Sequence, residues 1–183
     1  IIRMLIDNRK LPLCLVLLVI LLGNNAYANS LCANGNENSA IVATTPTADF
    51  SDNGDGTVTH HKTGLIWQRC SLGQTWDGSY CIDNATTYNW PASAPQAKDN
   101  LFAGYSDWRL PNKNELASII EYRCHHPAIN SQIFPNTSPS GYWSSSHSSN
   151  YGNHTSWSVD FNSGSVYLDV RFHYYHVRLV RGG

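Results

Sequence analysis

Residues 104 to 116, "GYSDWRLPNKNEL", decide how the rest of the chain is read. Trp108 can be a core residue of a strand, and Pro111 then removes a backbone donor and ends it. Asn112 is placed as a helix N-cap, and Glu115 three residues later can reach back to the cap's own N–H, an asparagine form of the capping box. Leu116, Ile119 and Ile120 follow at core-facing spacing, which predicts a helix ending near Tyr122 to Cys124, ahead of His125-His126-Pro127. Asp107 and Arg109, two apart on the opposite strand face, are positioned to pair with each other. The stretch is thus read as framework, with a direct ligand role as the alternative: Trp108 as core, Pro111 as strand stop, and Asn112 with Glu115 as helix start.

Upstream, "FSDNGDGTVTHHKTGLIWQRC" (50–70) places β-prone pieces at Thr57 to His60 and Leu65 to Arg69 between two turn signals, the pattern of a hairpin meander. The acidic turn Asp52 to Gly56 invites a calcium loop. Aligning Gly56 with the invariant loop glycine, however, puts Ser51 at the first ligand position and Lys62 where a bidentate glutamate belongs, so a plain Asp-Gly turn is expected. A helix is expected from Ser93 or Ala94 to Leu101, with Pro95 in its opening turn. Downstream of Tyr142 the period becomes two. Trp157, Val159 and Phe161 alternate with Ser158, Asp160 and Asn162, and after an Asn-Ser-Gly turn Val166, Leu168 and Val170 alternate with Tyr167, Asp169 and Arg171. Each strand should carry one apolar and one polar face, and a last strand, His176 to Arg181, should bury Val177 and Leu179.

The apolar run Leu11 to Leu22 behind Arg9 and Lys10 is too short for a membrane span, and it ends in the small-x-small pattern Ala26-Tyr27-Ala28. Residues 1–28 are therefore expected to be a signal peptide, of normal length if translation starts at Met4. Residues 29–48 would be a polar arm held mainly by Cys32, and 49–183 the folded domain. Ser30-Leu31 before Cys32 lacks the small residue of a lipidation site, so an exported product without a transmembrane anchor is expected, in the periplasm, at the cell surface or secreted. Removal of residues 1–28 leaves 9 basic and 12 acidic residues, a formal charge of −3. Nucleic-acid binding needs the opposite balance. Cys14 leaves with the signal. The remaining Cys32, Cys70, Cys81 and Cys124 allow three pairings, of which Cys70 with Cys81 and Cys32 with Cys124 are favoured. A zinc site is disfavoured because no C-x-x-C pair is present; no metal or cofactor is expected.

With these pieces placed, "FSDNGDGTVTHHKTGLIWQRC", "GYSDWRLPNKNEL", "YWSSS", "WSVDF" and "VRLVR", in this order from Phe50 to Arg181, resemble the Lcl C-terminal domain family, long catalogued as a domain of unknown function. The resemblance implies an α+β, C-type-lectin-like fold, two helices packed on small antiparallel sheets with the chain ends close together, to which the cysteine count adds disulfides as staples. The family takes its name from a bacterial collagen-like adhesin associated with glycosaminoglycan binding, whose G-x-y stalk is missing here. The same fold includes formylglycine-generating, sulfatase-modifying enzymes, and Arg109-Leu110-Pro111 through Glu115 is similar to their "RLP" and following helix. The enzyme analogy stops there. Their reactive cysteine pair lies late in the chain, and here no cysteine follows Cys124; no iron-ligating histidine set is recognisable, and neither the Glu-Pro-Asn nor the Trp-Asn-Asp motif of calcium-dependent lectins occurs.

The segment 144–176, "SSSHSSNYGNHTSWSVDFNSGSVYLDVRFHYYH", holds nine Ser, four His, four Tyr and three Asn and lacks Lys, Glu, Gln, Met, Pro, Ala, Ile and Cys. Tyrosine with small polar residues is the vocabulary of recognition surfaces. The candidate ligand-binding residues are His147, Ser149, Asn150, Tyr151, Asn153, His154, Ser158, Asp160, Tyr167, Asp169, Arg171, His173, Tyr174 and Tyr175, with tyrosine rings stacking on a partner and the polar groups fixing orientation. Arg171, Arg178 and Arg181 beside the histidines would favour sulfate or carboxylate in mild acid. The restricted alphabet also matches what adenine-directed mutagenesis of asparagine codons by a diversity-generating retroelement can reach, with Trp157 fixed. The leading expectation is a non-catalytic recognition or adhesion domain for a cell-surface protein or glycan, sulfated glycans included. The alternatives are a degenerate formylglycine-type enzyme, although no G-x-S-x-G or H-E-x-x-H motif is present, and a structural envelope subunit.

Overall fold

The computed structural model describes residues 30–148 and 154–183. The expected signal peptide and the candidates Ser149, Asn150, Tyr151 and Asn153 lie outside the described residues. Among the described residues, nine short strands form three antiparallel sheets. β1 (Phe50–Asp52), β2 (Thr57–His60), β3 (Leu65–Gln68) and β9 (Val180–Arg181) make a four-stranded sheet in that order; β4 (Thr75–Trp76) pairs with β5 (Cys81–Ile82); and β6 (Gly141–His147), β7 (Thr155–Asp160) and β8 (Ser165–Val170) make the third. The expected meander and the Asn-Ser-Gly hairpin are both present. No helix among the described residues is long and apolar enough to cross a membrane.

The helices are shorter than their periodicity predicts. The first begins earlier than expected, at Asn89, whose side chain accepts from Ala92 N–H, and consists of two turns, α1 (Trp90–Ser93) and α2 (Pro95–Lys98). α3 is Lys113–Ala117, and its capping box is complete on both sides. It stops well short of Tyr122 because Ile120 pairs in a bridge with Ile129 and Glu121 N–H turns to the carbonyl of Ala128. Leu116, Ile119 and Ile120 still reach the core, so the spacing marked burial correctly and helix length poorly. Asp107 and Arg109 do not pair. Arg109 makes a two-pronged contact with Glu115, while Asp107 lies against Arg181. Strand neighbours two apart diverge when each finds a closer partner on another element.

Two apolar clusters lie on opposite sides of the C-terminal segment. Val180 joins Trp67, Leu116, Ile120, Phe134, Tyr142 and Phe161, whereas Val177 and Leu179 join Trp108, Leu110 and Trp143. All four residues 177–180 are buried, so the segment is apolar-packed on one face and holds Arg178 and Val180 on the other. It is also a backbone junction. Gln68 N–H and Leu72 N–H donate to the carbonyls of Leu179 and Val177, Trp143 N–H donates to His176, and Arg109 exchanges two bonds with Val180. "DWRLP" therefore docks on the end of the chain and extends the first sheet.

Arg178 is fully buried. Its guanidinium donates to the carbonyls of Gln68 (3.1 Å) and Arg69 and to the hydroxyls of Ser71 (3.3 Å) and Thr137 (2.7 Å), and it lies 4.8 Å from the Phe134 ring centroid. No carboxylate is among these partners, and burial pushes its pKa down to about 10. Carbonyl dipoles and an aromatic face hold the charge instead.

Both favoured disulfides are formed, Cys32–Cys124 and Cys70–Cys81. The arm has a second anchor that the expectation missed. The buried Glu121 carboxylate accepts from the N–H and hydroxyl of both Thr44 and Thr45. A buried charge is tolerated when it is hydrogen-bonded in this way. The carboxylates of the acidic turn are also engaged locally, Asp52 with Gly54 N–H and Arg69 and Asp55 with Thr57.

Two predictions follow from this packing. Arg178→Ala should lower the unfolding free energy by roughly 3–5 kcal/mol in urea titrations, since it opens a cavity and orphans buried acceptors. Glu115→Gln should cost about 1 kcal/mol through the weakened cap. The Glu115 carboxyl is held below its usual pKa, first by the Arg109 hydrogen bonds and also by the Asn112 N–H. Its contribution is therefore full above the unfolded-state value of about 4.3 and is lost as pH falls through the lower folded value. The stability gap between the protein and the variant should accordingly close in acid.

Candidate functional site

The polar face of the β6–β7–β8 sheet carries a pocket of about 520 Å³. It is lined by Pro139, Ser140, Gly141, Ser158, Asp160, Asn162, Tyr167, Asp169 and Tyr175. Five predicted residues, Ser158, Asp160, Tyr167, Asp169 and Tyr175, meet here. The register explains why. Ser158 stands opposite Tyr167 and Ser156 opposite Asp169, so period two puts these side chains on one face, and the turn after β8 returns Tyr175 over β6.

Tyr175 is fixed by its surroundings. Its backbone exchanges hydrogen bonds with Tyr88, and its ring lies 4.8 Å from that of Trp143. The ring also covers Gly141 so closely that a Cβ added there would sit 2.8 Å from it. The floor of the pocket is Ser158, which is buried and donates to Asp169 Oδ2. Asp160 accepts from Asn162 N–H (3.0 Å) and the Ser163 hydroxyl (2.8 Å). An ionised carboxylate has about four acceptor positions, so these bonds leave Asp160 and Asp169 with capacity to accept more. Burial raises the Tyr175 phenol's pKa, with the Asp169 and Asp160 charges adding to the effect. The phenol therefore stays protonated across the physiological range and is a donor as well as an acceptor.

The other predicted residues take different places. His147 and His154 are exposed at strand ends, and Tyr174 is exposed in the turn after β8. His173 is exposed, with Nδ1 3.9 Å from Asp169 Oδ1. Arg171 is a framework group: its guanidinium stacks 4.2 Å over the Trp90 ring, and Nε donates to Thr155 O and Ser156 Oγ. The expected arginine cluster does not assemble. Arg178 is buried on the core side, and Arg181 is bound to Asp107 and stacked 3.8 Å over Tyr105. His176 is half-buried, and burial lowers its pKa, so it takes up a proton only at lower pH than a free histidine.

The expected alternation of an apolar and a polar face is present in both β7 and β8, but only β7 has its apolar face covered. Val159 is buried, yet Val166 and Val170 are 39% and 43% exposed, because β8 is the outer strand of its sheet. Sequence reasoning also missed Pro139, Ser140, Gly141 and Asn162 as lining residues. Gly141 carried a usable signal, since glycine within a strand marks a close approach.

A second groove, about 740 Å³, runs along the "DWRLPNKNEL" stretch and includes Trp108, Arg109, Leu110, Asn112 and Glu115. It is larger, but apart from Lys98 and Ser145 its polar side chains are committed. The Arg109 guanidinium is bound to Glu115 and to Gly182 O, and the Asn112 side chain caps α3. The sheet pocket is the better candidate.

Fold and site together define an α+β domain of small antiparallel sheets, held by two disulfides, with an acidic and aromatic pocket on its last sheet. A family model described as the Lcl C-terminal domain matches residues 56–181, most of the chain, and the chain belongs to that family. It is not known as an enzyme family. No curated protein matches the chain significantly.

The Gly141–Tyr175 contact makes its own prediction. Gly141→Ala should displace the Tyr175 ring and cost about 1–3 kcal/mol by overpacking. In Gly141→Ala/Tyr175→Ala the two losses should be clearly less than additive, measured as a double-mutant cycle of urea unfolding.

Proposed function

We propose that this chain is an exported, non-catalytic recognition domain with a C-type-lectin-like fold, and that it binds a protein or glycan ligand through the pocket on its last sheet and the aromatic residues around it. The observation that carries this reading is the convergence of Ser158, Asp160, Tyr167, Asp169 and Tyr175 on one concave surface, with Tyr174 exposed in the turn that leads to Tyr175. A concave surface with aromatic walls and a few directed polar groups is the usual form of a binding site. Export is supported by the two disulfides, which persist in oxidising compartments, and by the signal-like Leu11 to Ala28.

Adhesion to a surface is the biological use this chemistry suits. Diversification by a retroelement remains a finer proposal within it. Burial of Ser144, Ser148, Ser156 and Ser158 restricts variation to exposed positions such as Tyr167, His173 and Tyr174. A neighbouring near-copy of the segment with asparagine codons at those positions, together with a reverse transcriptase, is the genomic pattern it requires.

The direct test is a screen of the oxidised protein against glycan and surface-protein arrays beside Tyr167→Ala/Tyr174→Ala. Both side chains are about half exposed or more, so the variant should keep its stability. The reading expects at least one ligand whose binding falls about tenfold or more in the variant. Ligands held equally by both proteins would move recognition away from this face.

A further inference from the structure

β8 is the outer strand of the last sheet, and its backbone is available along that edge. Arg171 N–H donates to His154 O in line with the β7–β8 register, so in the alternation of an antiparallel ladder residues 165, 167, 169 and 171 turn their backbone groups toward β7. Val166, Leu168 and Val170 turn theirs outward. Apart from the Val170 carbonyl, which accepts from His173 N–H, these outward groups have no partner among the described residues. The opposite edge of the sheet is closed. His176 N–H donates to Gly141 O, Trp143 N–H donates to His176 O, and Ser145 N–H donates to Pro111 O, so β6 is covered along its outer side.

Free edges are ordinarily blunted by lysine, proline, a bulge or a covering segment. β8 shows none of these among the described residues. It pairs with β7 without a break over Ser165–Val170, and its one charged residue, Asp169, faces the pocket. On the other face Val166 and Val170 are exposed on either side of the half-buried Leu168. Symmetry decides what fits such an edge. When a strand pairs antiparallel with its own copy about a two-fold axis normal to the sheet, opposed side chains share a face and outward backbone groups meet. With the axis at Leu168, Leu168 faces its own copy, Val166 faces Val170, and Tyr167 faces Asp169. The apolar side chains then form one uninterrupted row, and each tyrosine hydroxyl meets a carboxylate. Moving the axis to Asp169 sets the two carboxylates directly opposite each other, which is destabilising. Moving it to Tyr167 leaves Val170 opposite Gly164, in the turn before the strand.

We infer that β8 pairs antiparallel with β8 of a second copy of this chain, with the axis at Leu168, to give a dimer with one continuous six-stranded sheet. The assembly closes at two because this sheet offers one free edge per copy. The pairing rests on that edge alone. Its consequence rests on the recognition reading as well: both pockets open on the same side of the joined sheet, so a surface with repeated epitopes is held twice.

The test is sedimentation velocity of the oxidised protein without ligand, from about 1 µM to 1 mM, a range that covers a small interface. Charge variants at positions 166 and 170 report the register, since these stand about 13 Å apart within one strand and face each other across the axis. The unmodified protein should approach twice the monomer mass. Val166→Lys/Val170→Lys and Val166→Glu/Val170→Glu should each stay monomeric, and mixing them should restore the dimer. Val166→Lys/Val170→Glu should dimerise by itself. Both valines are exposed, so the variants should fold, which cooperative urea unfolding checks. If a variant does not fold, hydrogen exchange of the unmodified protein gives the same reading. Raising its concentration should slow the amides of residues 166, 168 and 170 by about tenfold, while those of 167 and 169, already turned to β7, change little. A monomer mass up to the highest concentration, a trimer or larger assembly, a dimer that survives Val166→Lys/Val170→Lys, or a monomeric Val166→Lys/Val170→Glu would each overturn the inference. A monomer that still loses an array ligand in Tyr167→Ala/Tyr174→Ala would refute the dimer and leave the recognition reading standing.

Discussion

A buried guanidinium without a carboxylate partner is the constraint on which this structure turns. Arg178 reaches the backbone carbonyls of Gln68 and Arg69 at the end of β3, hydroxyls at Ser71 and Thr137, and the rings of Phe134 and Tyr142, and so connects elements far apart in sequence. Arginine cannot shed its proton at working pH, so the loops must supply acceptors wherever the group is placed. The Ser71 hydroxyl serves twice, lying against Arg178 and sharing a hydrogen bond with the Tyr142 hydroxyl. Loops that would otherwise be free to drift are held in position by the demands of one charge.

The site inherits that order. Residues 176–180 hold Arg178 and Val180 toward one cluster and Val177 and Leu179 toward the other, and the segment enters directly after Tyr175. Tyr142 and Trp143, at the start of β6, take part in the two clusters respectively, while Gly141 just before them meets the Tyr175 ring. The pocket is thus built at the point where the last segment leaves the surface for the core. Its tyrosine is placed by a segment whose next residues cannot move without disturbing both clusters.

Much of this was legible in the sequence, for physical reasons that differ by feature. Asn112 and Glu115 specify a cap through local geometry alone, so the start of α3 could be read directly. The end of α3 could not, because Ile120 and Glu121 are claimed by the distant Ala128 and Ile129, and propensity yields to such pairing. Period two placed Ser158, Asp160, Tyr167 and Asp169 on one face. It could not distinguish Arg171 and Arg178, both polar-face residues by alternation, from ligand-binding groups; Trp90 and Phe134, their aromatic partners, come from elsewhere in the chain. The charge of the pocket emerged only when the arginines proved to be occupied. A composition that suggested anion binding folds into a surface that presents carboxylates.

The measurement that bears most directly on the recognition reading is hydrogen–deuterium exchange of the oxidised protein with and without a ligand returned by the arrays. The account predicts slowed exchange at residues 139–142 and 156–175, around the sheet pocket, with the "DWRLPNKNEL" groove unchanged. Protection confined to residues 94–115, around Trp108, Arg109 and Glu115, would contradict it and make the framework stretch the binding site.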